Sequence, residues 1–181
     1  MVEHINIAKD ITLPVNSISG PLDKNSDVIF LNTSYIVYHF YINDYLWYLA
    51  VIDIAKHELL VLEEYNSEEN GGIGVKGQEY YFDKASVYED SVYFSEVIGN
   101  EHEISAVALM RIPLNGSKKQ VIFTKSQKEF GNQSGYMEIR SFQFSNDEII
   151  LNVSCPDEYL YFYKIGINTG EEEFLGNIIS K

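Results

Sequence analysis

A pattern that recurs three times along the chain limits the fold more than any other feature. Turn residues Thr33, Asp90 and Asp147 stand 57 residues apart at each step. Each is followed by a run of β-branched and aromatic residues: Tyr35-Ile36-Val37-Tyr38, Ser91-Val92-Tyr93-Phe94 and Glu148-Ile149-Ile150-Leu151. Behind these, residues 51–58, 111–117 and 164–171 align as apolar strand ends running into polar turns. The clearest copy is residues 109–123, LMRIPLNGSKKQVIF, which reads as two strands joined at Asn115-Gly116. A multi-strand unit repeated at this period cannot bury its apolar face alone, so consecutive copies must pack on one another.

The repeat divides the chain into an N-terminal segment, 1–25, and units at 26–77, 78–134 and 135–181. Strands are predicted over residues 28–32, 35–42, 46–54 and 59–62 of the first unit. The second unit carries them at 79–88, 92–98, 104–114 and 121–123. In the third they fall at 137–144, 149–153, 159–167 and 174–175, and the remaining residues form a tail. Polar, glycine-bearing stretches at 63–77 and 126–135 read as linkers. No stretch of a dozen residues keeps a clean 3.6-residue periodicity, so no long helix is expected. The fold class is all-β, with three consecutive four-stranded antiparallel units. The glycine-rich GGIGVKG at 71–77 lacks the Gly-Lys-Ser/Thr ending of a phosphate loop, and its flanks read as strands.

The run Leu109-Met110-Arg111-Ile112-Pro113-Leu114-Asn115-Gly116-Ser117 resembles the hairpin element of YWTD-type and TolB-type β-propeller blades. Tyr163-Lys164-Ile165-Gly166-Ile167-Asn168-Thr169-Gly170-Glu171 is similar to a variant of the same element. The resemblance implies propeller-like blades in which the third strand leads through this hairpin into an outer fourth strand. The Tyr-Trp-Thr-Asp signature itself is missing. A β-trefoil, also built from three four-stranded pseudo-repeats, and another sandwich or barrel remain as alternatives. Propellers close with about 4–8 blades. An isolated arc of three would leave apolar end faces, so self-association through the end blades is expected.

The formal charge is −14. It argues against nucleic acid and anionic lipid as partners and suits a basic one. Nothing approaches the ~20 apolar residues of a membrane helix. The N-terminus carries no signal-like run, so the chain reads as cytoplasmic as it stands, or as extracellular if a signal-bearing upstream region is missing. Cys155 is the only cysteine and allows no internal disulfide.

His4, His39, His57 and His102 lack metal-ligand spacing to one another or to Cys155. Cys155 has no recognisable partner for nucleophilic work in so acidic a chain. The carboxylates at Glu63-Glu64, Glu68-Glu69 and 171–173 flank turns and read as a solvated edge. No catalytic set, cofactor or metal site is expected. Tyrosine offers an apolar body with a polar tip, which suits protein, peptide or carbohydrate surfaces. Tyr41, Tyr45, Trp47, Tyr93, Tyr159 and Tyr161 are therefore the candidate binding surface. The sequence points first to a non-catalytic binding or protein-interaction module. The alternatives are an acidic inhibitor or immunity-type protein for a basic partner, and a propeller-based hydrolase or lyase.

Overall fold

Three turns of related design set out the strands. In the computed structural model, which describes residues 26–43, 46–56, 58–66, 84–100, 103–115, 118–131 and 137–179, each turn joins the first two strands of a four-stranded antiparallel sheet. The first sheet holds β1 (Ser26–Leu31), β2 (Tyr35–Asn43), β3 (Leu46–Asp53) and β4 (Glu58–Asn66). The second holds β5 (Ala85–Tyr88), β6 (Ser91–Asn100), β7 (Glu103–Pro113) and β8 (Gln120–Ser126). The third holds β9 (Glu138–Ser145), β10 (Glu148–Ser154), β11 (Tyr159–Gly166) and β12 (Glu172–Ile179). Within each sheet the strands lie side by side in chain order. The all-β class and the three four-stranded units expected from the sequence are thus both present. The described strands form separate open sheets with no closed barrel, which sets aside the trefoil alternative.

The same backbone bond recurs in every sheet. The amide that follows the third strand donates to the carbonyl of the last turn residue before the second: Ile54 to Ser34, Leu114 to Asp90 and Ile167 to Asp147, at 2.9, 2.7 and 2.8 Å. The hairpin alignment read from the sequence is therefore a structural one. The first marker shifts by one residue, from Thr33 to Ser34. The reason lies in the turn: Asn32 Oδ1 accepts from the amides of Ser34 and Tyr35, making a three-residue connection. The other two turns have two residues, and Glu89 and Asn146 there adopt φ values of 52° and 55°. Side-chain-to-backbone bonding by Asn is a substitute for that left-handed step.

Each fourth strand also carries a bulge against its third, with one extra residue opposite Leu49-Ala50, Leu109-Met110 and Phe162-Tyr163. Two predicted lengths change. Residues 172–179 form a full outer strand where the sequence suggested a two-residue strand and a tail. Residues 126–135 are not simply a linker, since Gln127–Phe130 form a 3-10 turn. Glu129 closes that turn by accepting from the Ser126 amide at 2.8 Å.

Alternation along β6 and β7 splits the second sheet between two cores. Val92, Phe94, Ala108, Met110 and Ile112 face the first sheet and pack with Val37, Leu49 and Val51. Tyr93, Val107, Leu109 and Phe123 face the other way, onto Ile139, Ile149, Leu151, Val153, Tyr163 and Ile165 of the third. The sheets thus stack face to face in a row. Full burial of a large apolar side chain contributes about 1.5–3 kcal/mol, so these two cores dominate the stability.

Between the first two sheets sits one polar cluster. Lys119 Nζ reaches Glu63 of β4 at 2.8 Å and Glu96 of β6 at 3.0 Å. Burial pushes the Glu96 carboxyl above the usual glutamate range despite Lys119. Folding therefore favours its protonation, and Glu96 does not itself drive acid unfolding. Removing the lysine leaves a buried carboxylate without its counter-charge. Lys119→Met should cost about 2–4 kcal/mol, somewhat below the usual figure for a fully buried pair because Lys119 and Glu63 still reach solvent. Adding Glu96→Gln should recover a large part of the loss, measured by urea unfolding of both variants. An equal cost with and without the second change would show that Lys119 matters only through its packing.

Candidate functional site

The turn between β10 and β11 organises the best candidate site, because one carboxylate there holds both the turn backbone at Tyr159 and the side chain of Tyr161. Asp157 Oδ1 accepts from the Tyr159 amide at 3.1 Å, and its other oxygen accepts from the Tyr161 hydroxyl. Glu158 makes the turn with φ at 65°. The Tyr161 ring then meets Phe130 of the 3-10 turn at 4.6 Å, Tyr159 at 6.2 Å and Phe174 of β12 at 6.3 Å. Phe174 also touches Tyr163 at 5.4 Å, and Tyr163 touches Phe123 of β8 at 5.1 Å. These centroid separations lie in the range of favourable aromatic pairs.

A cation closes the inner end of this aromatic row. Lys125 Nζ lies 5.4 Å from the Tyr163 ring and 5.7 Å from the Phe123 ring, and pairs with Glu172 at 2.6 Å and Glu129 at 3.1 Å. The outer end is open: Phe174 is 54% exposed. Burial and the Asp157 carboxylate raise the Tyr161 phenol above the ordinary tyrosine range, and burial pushes Tyr163 up to about 12. Both rings are therefore neutral hydrogen-bonding groups at physiological pH, and no phenolate chemistry is on offer.

The candidate residues named from sequence separate into three groups. Tyr159 and Tyr161 come together in the row just described. Tyr93 is 1% exposed and sits between the second and third sheets under Arg111, whose guanidinium lies 5.8 Å from its ring, so it is a core residue and not a surface one. Its position in the alternation turns it toward the third sheet. Tyr41 and Trp47 stand opposite one another in the β2–β3 pairing. Tyr45 lies outside the described residues, as do His4, His57, His102 and Glu68-Glu69.

Sequence reasoning missed Phe130, Phe174 and Asp157. Phe174 was assigned to a short last strand, and only the length of β12 brings it beside Tyr161. The spacing of Asp157 to Tyr159 and Tyr161 was a usable signal, since Asp bonding the amide two residues on is a turn habit.

A second feature lies where the β9–β10 and β11–β12 turns meet. A cleft of about 560 Å³ is lined by Asp147, Glu148, Glu171, Glu172 and Glu173, with Lys164, Gly166 and Thr169. Lys164 pairs with Glu173 at 2.7 Å and Glu148 at 3.5 Å. The carboxylates at 63, 172 and 173 take part in ion pairs, and residues 171–173 lie exposed at the start of the outer strand, as a solvated edge would. No group of three or more potential metal ligands occurs among the described residues. No described helix is long and apolar enough to cross a membrane.

Cys155 opens the same turn as Asp157 and is buried. Burial and the nearby Asp157 charge push its thiol up to about 12. At pH 8 only roughly one molecule in ten thousand would carry the thiolate. The native protein should therefore resist alkylation by iodoacetamide over hours and react only when unfolded, as followed by intact mass. Rapid stoichiometric labelling of the folded chain would contradict this placement.

No family model matches this chain, and no curated protein does. Its likeness to solved structures is one of fold. The isopeptidase AtxE2, solved as a variant with Astexin3-dC4 bound, superposes with a TM-score of 0.50 at 11% identity, over 80% of this chain and 19% of that one. An oligogalacturonate lyase in complex with manganese gives 0.49 at 12% identity, over 80% and 39%. An uncharacterized protein from Listeria monocytogenes EGD-e gives 0.48 at 8% identity, over 84% and 40%. The chain spans between about a fifth and two fifths of the length of these proteins.

Proposed function

We propose that this chain is a binding module built from propeller-type blades, with the aromatic row at the β10–β11 turn as its ligand surface. The observation that carries the reading is the Tyr161 hydroxyl held by Asp157, with its ring among Phe130, Tyr159 and an exposed Phe174. A half-buried aromatic set held in place by a part-buried hydrogen bond, with Phe174 exposed at its edge, loses little entropy on binding. The propeller part of the reading is supported by three successive four-stranded meanders that stack face to face in a row. The rings suit the apolar face of a sugar or the side chains of an extended peptide. The resemblance to an isopeptidase or a lyase is a resemblance of fold and carries no chemistry with it.

The test is a screen of immobilised glycans and peptides, followed by titration of the best binder. Tyr161→Ala and Phe174→Ala should each weaken it roughly tenfold or more, the loss expected when an aromatic contact is truncated. Tyr161→Phe should retain most of the affinity. Binding that ignores both alanine variants would remove the row as the ligand surface.

A second reading rests on the acidic cleft. Five carboxylates and one lysine there, on a chain of charge −14, suit a basic protein partner. An oligolysine peptide should then bind with an affinity that falls steeply as salt rises, and Glu171→Gln with Glu172→Gln should flatten that dependence. Salt-independent binding would rule this reading out.

A further inference from the structure

In both interfaces inside the chain, one face of a sheet meets the unit that comes before it. Register fixes which face this is. Tyr38, Phe94 and Leu151 hold the same place after the turn carbonyls of Ser34, Asp90 and Asp147, and pair across to Ala50, Met110 and Tyr163. Ile52, Ile112 and Ile165 hold the same place before the amides that bond those carbonyls. Phe94, Met110 and Ile112 pack on the first sheet, and Leu151, Tyr163 and Ile165 pack on the second.

The first sheet buries the same face, with no described sheet before it. Tyr38 is 6% exposed, Tyr48 1%, Ala50 0% and Ile52 1%, yet none of the four belongs to either of the two cores. They lie on the side opposite Val37, Leu49 and Val51, which face the second sheet. The cover is close enough to shut solvent from the Tyr38 hydroxyl, which is buried without a hydrogen-bond partner. Burial also raises that phenol above the ordinary tyrosine range. All of this burial arises within a single chain, so the cover belongs to that chain.

Two long stretches outside the described residues could supply it, 1–25 and 67–83. The second is tied to the opposite side at both ends. It follows β4, whose Glu63 meets Lys119 and through it Glu96 of β6, and it leads into β5, where Ala85 and Val87 pack into the core shared by the first two sheets. The first runs directly into β1 at Ser26 and carries two apolar patches, Ile5 with Ile7 and Ile11 with Leu13 and Val15. It also precedes the first sheet in the chain, as the covering unit does at the other two interfaces.

We infer that residues 1–25 cover the first sheet on the face of Tyr38, Tyr48, Ala50 and Ile52, in the place that a preceding unit holds on the other two sheets. A sheet's apolar face has to be packed against another element, and the end unit of a stacked row needs a cap.

A nitroxide attached to Lys9→Cys in a Cys155→Ala background should broaden the ring signals of Tyr38 and Tyr48 in spectra of the full chain. It should leave those of Phe123 and Tyr163, in the other core, sharp. Ile5→Asp combined with Ile7→Asp should raise the fluorescence of an apolar dye several-fold, whereas Ile73→Asp combined with Val75→Asp should leave it unchanged. The nitroxide measurement removes no apolar residue, so it decides the matter even if the aspartate variants fail to fold. Tyr38 and Tyr48 signals untouched by the Lys9 label would overturn the inference. So would a dye response to the 73 and 75 pair with none to the 5 and 7 pair, which would assign the cover to residues 67–83.

Discussion

A four-stranded sheet that is apolar on both faces cannot stand in water with either face bare. The second sheet is such a sheet: along β6, Val92 and Phe94 point one way and Tyr93 the other, and all three are fully buried. In β7, Val107 and Leu109 alternate with Ala108 and Met110, again buried on both sides. This double-sided burial, more than any turn or ion pair, forces three sheets into a row. Each large side chain withdrawn from water adds about 1.5–3 kcal/mol, whereas a buried ion cluster such as Lys119 with Glu63 and Glu96 is close to neutral as a whole. The cluster's contribution is then one of position: two carboxylates from different sheets must meet one lysine, which resists sliding of one sheet over the other.

The same stacking explains why the candidate site lies where it does. The third sheet extends past the cover of the second at its outer strand, so β12 brings Phe174 to the surface while Tyr163, its cross-strand partner, stays in the core. The aromatic row therefore runs from inside to outside across a boundary between two sheets. Asp157 anchors it from the turn, and Lys125 ties β8 to β12 through Glu172. Rigidity at the site is a consequence of the two sheets being locked together.

Much of the architecture was legible because β-structure writes itself locally. Polar turn pairs such as Glu89-Asp90 and Asn146-Asp147 punctuate runs of alternating residues, and the recurrence of Thr33, Asp90 and Asp147 at 57-residue steps is visible by spacing alone. The misreadings were also local in origin. Asn32 adds one residue to the first turn and shifts the register there by one. β12 was read short because its EEFLGNII carries two acids and a glycine, yet pairing with β11 satisfies its backbone regardless of those side chains. Tyr93 was named as a surface residue because tyrosine type does not reveal which face of a strand is covered.

The sequence by itself determined the units: how many strands, where they turn, and which positions of each strand share a face, since all of these follow from local periodicity and turn chemistry. Only the tertiary structure decided which faces are covered. Ile150 and Tyr93 hold the same place in their sheets, and one is exposed while the other is buried solely because a third sheet lies over the second. Burial depends on a neighbour far away in the chain, and nothing in the residues of a strand records whether that neighbour is there.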